Sequence, residues 1–242
     1  MHAGHFRAGS SSSDACSAKL HGERSVRGRH RGEMTVSKLA RMAACAVLVI
    51  ACVDALAAGG PFGIDHRLAY DNSGIWKRQN QNVLQGAVGV AVVAGALWEG
   101  DGDRTGHIWW QSLDAAVIGA VSTEVLKRTF SRTRPAESAD PNLWFQGKHH
   151  NSFPSGEVAF VTSAVTPFVL EYGREHPAAY ALELLPLYDA VARVKVRAHW
   201  QSDVLASFVL GTAVGYYAHS RGTSIAVDVL PGGFSIGLKT RF

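Results

Sequence analysis

Five long apolar segments constrain this chain more than any other feature: Val83–Trp98, His107–Phe130, Glu157–Glu171, Ala178–Val196 and Ser202–His219. Each is too long for a strand and has the length of a helix. Several are apolar almost all round and carry many small residues, which suits either a core helix or a helix packed in a membrane. Most are shorter than the roughly 20 residues that a membrane span needs, and the mean hydropathy of the chain is only +0.02. The expected fold is therefore all-α, a helical bundle with a buried interior, membrane-associated and facing the periplasm. Gly211 and Gly215, one turn apart in the last segment, predict a close helix contact there.

The rest of the chain divides around this body. Residues 1–33 are rich in Ser, Gly, His and Arg without an apolar period, and read as disordered or as an extension upstream of the true start at Met34. Residues 34–57 read as a signal peptide: Lys38 and Arg41 form a charged beginning, Met42–Val53 an apolar core, and Ala55-Leu56-Ala57 a small-x-small cleavage site. Val49-Ile50-Ala51-Cys52 is a second option, a lipoprotein processing box, and an uncleaved anchor helix is a third. All three versions place the protein in the cell envelope. Residues 58–223 form the body. Residues 224–242 predict a β-hairpin, Ser224–Leu230 and Phe234–Arg241 around Pro231-Gly232-Gly233.

Charge and cysteines narrow the function. The formal charge is +4, but residues 1–33 hold six Lys or Arg against three Asp or Glu, and residues 34–57 hold two against one. Residues 58–242 are neutral as a whole, so the basic balance gives no reason to expect a nucleic-acid partner. Cys16, Cys45 and Cys52 all precede the Ala cleavage site, which leaves the expected mature chain without disulfides or thiol chemistry.

Three short segments carry chemistry. In Lys127–Pro135, Lys127 offers a point charge and Arg134 a planar fork, both suited to phosphate oxygens, and Pro135 turns Arg134 out of the helix. Phe153-Pro154-Ser155-Gly156-Glu157 opens an apolar helix, whose free amides bind anions where Gly lets them approach; Ser155 is equally a plain helix cap. In Arg193–Asp203, His199 and Asp203 are four apart, so that one helical turn would let the carboxylate orient the imidazole, and Arg193 offers a third cation.

Taken in order, Lys-x6-Arg-Pro, Pro-Ser-Gly and Arg-x5-His-x3-Asp resemble the three-part signature of the type 2 phosphatidic-acid phosphatase (PAP2) superfamily. That superfamily includes lipid phosphatases, non-specific acid phosphatases and vanadium haloperoxidases. The resemblance implies that Lys127, Arg134, Arg193, Ser155 and the Gly156 amide hold a phosphate. It implies that His199 attacks phosphorus to form a phospho-histidine and that Asp203 orients it. No metal or other cofactor is implied, because cations and amides stabilise the charge.

Glu157 stands where the family normally has a histidine that protonates the leaving oxygen, and Ala192 stands where it usually has serine. Three options remain open. Glu157 is itself the acid; or the leaving group needs no proton, as when phosphate leaves from a prenyl diphosphate or another diphosphate; or His149 or His150 supplies the proton. The expected function is a phosphohydrolase of lipid phosphates or diphosphates in the envelope. A periplasmic acid phosphatase of broad specificity and a non-catalytic anion-binding protein are the alternatives.

Overall fold

The computed structural model describes residues 59–100, 102–221, 225–230 and 233–238. The signal-like segment, the three cysteines and the extension 1–33 lie outside the described residues. Five helices make the body: α1 (Arg78–Glu99), α2 (Arg104–Phe130), α3 (Gly156–Tyr172), α4 (Leu184–Lys195) and α5 (Gln201–Arg221). The expected helical bundle is present, and each apolar segment corresponds to one helix with one exception. Residues 178–196 break into a 3-10 stretch, Pro177–Glu183, followed by α4. Pro186 explains the break. Inside a helix running through residues 178–196 it would lack a needed N–H and clash with a preceding carbonyl, whereas in the first turn of α4 that N–H is not required.

Local signals set the helix ends. Asp71 Oδ1 accepts from the Ser73 amide (3.0 Å) and hydroxyl (2.7 Å), forming the expected turn. Asn72 Oδ1 accepts from the Arg78 amide (2.7 Å) and so caps α1, which starts five residues before the apolar run does. Asp103 caps α2 through the Gly106 amide (2.7 Å). That helix stops at Ser131 in the left-handed region (φ 39°), which leaves Arg134 beyond its end, as Pro135 predicted.

α3 is the central helix. Val158, together with Phe208 of α5, meets α4 residues Ala190 and Val194 on one side. Ala164 meets Val92 of α1 and Ala116 of α2 on another. Its hydroxyls turn back on its own carbonyls, Thr162 to Val158 and Thr166 to Thr162 (both 2.7 Å), so a nearly all-buried helix leaves them satisfied. Small residues let the neighbours approach. A Cβ on Gly211 would lie 2.6 Å from Thr162 Cβ, and one on Gly215 would lie 2.5 Å from Thr166 Cβ. The close α3–α5 contact expected from the glycine spacing is thus present. At the C-terminal end, β1 (Ile225–Leu230) pairs antiparallel with β2 (Gly233–Leu238), with Leu230 opposite Gly233.

Two glycines should respond oppositely to the same substitution. Gly86 in α1 has nothing within 4 Å of an added Cβ, so Gly86→Ala should stabilise by up to about 1 kcal/mol through helix propensity. Gly211→Ala meets Thr162 and the Ala159 carbonyl, and overpacking of about 1–3 kcal/mol outweighs that gain. Thermal melts should place the two variants on opposite sides of the wild type.

Candidate active site

The site lies where the end of α2, the loop after it, the start of α3, the end of α4 and the start of α5 converge. Its frame is Arg132, which is fully buried. This guanidinium donates to Asp203 Oδ1 (2.5 Å), Asp65 Oδ2 (2.6 Å), Ser202 Oγ (2.7 Å) and the Pro141 carbonyl (2.6 Å), and lies 4.2 Å from the Trp144 ring centroid. It fixes the lead-in, the loop and α5 against one another.

His199 is almost completely buried. It sits in the bend before α5 rather than within a helix, and its Nδ1 lies 2.6 Å from the Ser152 carbonyl. A carbonyl only accepts, so Nδ1 carries the proton and Nε2 presents a lone pair. The expected direct His199–Asp203 hydrogen bond is not formed; the two groups are 3.9 Å apart. The Asp203 carboxylate is engaged elsewhere, by Arg132, the Ser152 hydroxyl (2.5 Å) and the Trp200 amide (2.9 Å). Asp203 therefore orients the imidazole at one remove, by holding the residue whose carbonyl holds Nδ1.

The three cations expected to hold phosphate all act on this ring. Burial first, then Arg193, Arg134 and Lys127, push His199 well below its ordinary value, so the imidazole is neutral. Arg193 is itself lowered to about 10, chiefly by burial. Lys127 is lowered by burial and by Arg134. Arg193 stays charged at neutral pH, and both sit in surroundings that an anion would improve. Arg134 Nε donates to Asn151 Oδ1 (3.0 Å). A Cβ on Gly156 would lie 3.1 Å from Lys127 Nζ, so the ammonium lies against the first turn of α3.

Two polar atoms among these residues lack a protein partner. Ser155 Oγ and Arg193 Nε are buried with no hydrogen bond, along with His66 Nε2 and Asp189 Oδ1 elsewhere among the described residues. The plain capping role for Ser155 is thus not taken up, since its hydroxyl bonds to no amide of α3. Buried donors without acceptors are costly. An acceptor reaching each would remove that cost.

Glu157 is clamped. Arg78 Nη1 and Nη2 donate to its two oxygens at 2.5 and 2.6 Å, and Arg193 Nη1 lies 3.5 Å away. Burial raises its pKa, but Arg78, Arg193 and Lys127 outweigh that and hold it below the usual carboxylate range. Such a carboxylate has no proton to give at neutral pH. His150 Nδ1 is tied to Glu137 Oε2 (3.0 Å) and Thr133 Oγ1 (3.3 Å), and His149 is exposed.

Residues 109–223 match the family model of the PAP2 superfamily. Over this segment, just under half of its length, the chain is similar to the PAP2 superfamily. A stretch of 105 residues is 33% identical to a lipid A 1-phosphatase of Porphyromonas gingivalis. It covers 43% of this chain and 21% of that protein, so the chain matches about a fifth of the relative's length. No solved structure matches it. The PAP2 segment contains Lys127, Arg134, Ser155, Gly156, Glu157, Arg193, His199 and Asp203, and it excludes Arg78.

Sequence reading missed Arg78, Arg132, Ser152 and Asp65. Arg132 stands inside the quoted basic run, and Arg78 begins a polar stripe on an apolar helix, so both left a trace. Asp65 left none, because its role depends on contacts 67 and 137 positions away.

The depressed His199 pKa has a signed consequence. Between its folded value and the ordinary one near 6.5, the unfolded chain binds a proton that the folded chain refuses, so stability rises with pH through that window. The contribution is present above about 6.5 and is lost as pH falls toward the folded value. The His199 ring, followed by NMR, should titrate below the ordinary value, and Arg193→Met should move its midpoint upward.

Proposed function

We propose that this protein is a phosphohydrolase of lipid phosphates in the cell envelope, working through a phospho-histidine on His199. The single observation that supports this best is the pair of unpartnered buried donors, Ser155 Oγ and Arg193 Nε, in a site whose imidazole keeps its lone pair on Nε2 and feels the charge of Arg193. Lys127, Arg134 and Arg193 neutralise the phosphoryl oxygens, and the Gly156 amide at the start of α3 adds a dipolar donor. Nε2 attacks phosphorus. As positive charge develops on the ring, the Ser152 carbonyl strengthens its hold on the Nδ1 proton, and Asp203, 3.9 Å off, adds electrostatic support. Water then takes the phosphoryl group from the histidine.

The lipid class follows from the relative's printed activity and from α1. That helix is long and apolar enough to cross a membrane by length and composition, with 17% of its apolar window buried. Val83, Val90, Val93, Leu97 and Trp98 all stand exposed along it. An apolar face of this kind suits a protein held at a membrane, with the site facing the envelope compartment. Residues 34–57 would direct export, residues 58–223 would form the catalytic body and residues 224–242 a terminal hairpin.

The purified chain in detergent should release inorganic phosphate from a lipid phosphate, and vanadate should inhibit it. His199→Asn should abolish release, and Ser155→Ala should lower kcat/KM by about 10- to 100-fold, the range expected for a hydrogen bond to a charged group. Turnover that survives His199→Asn would overturn the reading. Full activity on soluble esters without detergent would replace it with a soluble acid phosphatase, and vanadate binding without turnover would replace it with an anion-binding protein.

A further inference from the structure

α1 lies outside the segment that matches the PAP2 model, yet it reaches the site. Arg78, Gln81 and Gln85 stand at i, i+3 and i+7, on one face of that helix. Each is tied to α3 or α4. Arg78 grips Glu157 with both terminal nitrogens. Gln81 Oε1 accepts from Arg78 Nη1 and from Arg193 Nη1, both at 3.1 Å, and so couples the two guanidiniums. Gln85 Nε2 donates to Asp189 Oδ2 (3.1 Å). Arg78 is thus fixed beside a phosphate-holding arginine, while its side chain keeps 41% exposure. One side of the guanidinium is held and the other is open.

We infer that Arg78 is a specificity-determining residue: held by Glu157 and Gln81, it meets the second phosphate of a diphosphate ester, so that the site cleaves the phosphoanhydride in preference to an alkyl phosphomonoester. The inference rests on the phosphatase reading above. Charge supports it. Arg78 adds a fourth cation to Lys127, Arg134 and Arg193, and Glu157 offsets it only in part because it also faces Arg193. A diphosphate ester carries one more negative charge than a monoester and so draws more on that added cation. The leaving group supplies the second reason. An alkoxide needs a proton as it departs, and the clamped carboxylate has none. A phosphate monoester leaving as its dianion needs no proton.

The chemistry balances without a general acid. His199 Nε2 forms a bond to the terminal phosphorus, and the bridging P–O bond breaks with its electron pair on the departing phosphate monoester. Water oxygen then bonds to the same phosphorus, and the P–N pair returns to Nε2. One water is consumed; its oxygen and one hydrogen end in hydrogenphosphate, and the other proton goes to solvent.

The test uses the full purified chain in detergent with farnesyl diphosphate, farnesyl phosphate and a series of aryl phosphates of graded leaving-group pKa. Wild type should favour the diphosphate over the monophosphate by about ten-fold or more in kcat/KM. Rates on the aryl series should fall steeply as the leaving-group pKa rises. Arg78→Met should cut the diphosphate-to-monophosphate ratio by about ten-fold or more, the loss of a hydrogen bond to a charged group. Arg78→Lys, which keeps the charge and the fold, should restore part of it. Equal rates on the two farnesyl esters, a flat aryl series, or an unchanged ratio in both Arg78 variants would overturn this inference alone if His199-dependent turnover persists. No turnover on any substrate would overturn the phosphatase reading and this inference with it.

Discussion

The site depends on one buried guanidinium. Arg132 joins Asp65 of the lead-in, Pro141 and Trp144 of the loop, and Ser202 and Asp203 of α5. A charge without solvent is tolerated only when its partners are complete, and here they are drawn from segments far apart in the chain. Closing that arrangement sets everything near it. Arg134 follows two residues later, Ser152 is held by Asp203, and Ser155, the residue before α3, comes three residues beyond Ser152. Arg132 touches no expected phosphate ligand, yet it anchors the segments from which two of them, Arg134 and Ser155, come.

His199 is held indirectly. Its tautomer comes from a backbone carbonyl, which cannot take the proton, and the carboxylate acts through the residue that bears that carbonyl. Three cations and burial then exclude the imidazolium. The cations are themselves held in part by Gln81, Glu157 and Asn151. In the proposed reaction a phosphoryl group would add to that compensation and meet the Nε2 lone pair. The same electrostatics acts on Glu157. In a site this positive a carboxyl stays ionised, and Arg78 turns it from a proton source into a brace.

Much of this was legible in the sequence because helices and short motifs are local. The apolar runs marked all five helices, Pro135 marked the exit of Arg134, and the Gly211–Gly215 spacing marked the contact with α3. The split before α4 was legible too, had Pro186 been weighed against the apolar run around it. What escaped was long-range. Four-residue spacing made Asp203 a natural partner for His199, but spacing says nothing of competitors, and Arg132, Ser152 and the Trp200 amide took the carboxylate first. Likewise, nothing near Glu157 in the sequence announces Arg78, 79 positions away.

The central claim is that the His199 Nε2 lone pair takes the phosphoryl group. Rapid acid-free quenching during turnover of a phosphorus-labelled substrate, followed by peptide mapping and phosphorus NMR under alkaline conditions, reads the attachment point directly. The expected result is an acid-labile, base-stable phosphate on Nε2 of His199. Label on the Nδ1 nitrogen, on another side chain, or no labelled enzyme during turnover faster than hydrolysis of such an adduct would allow, would contradict it.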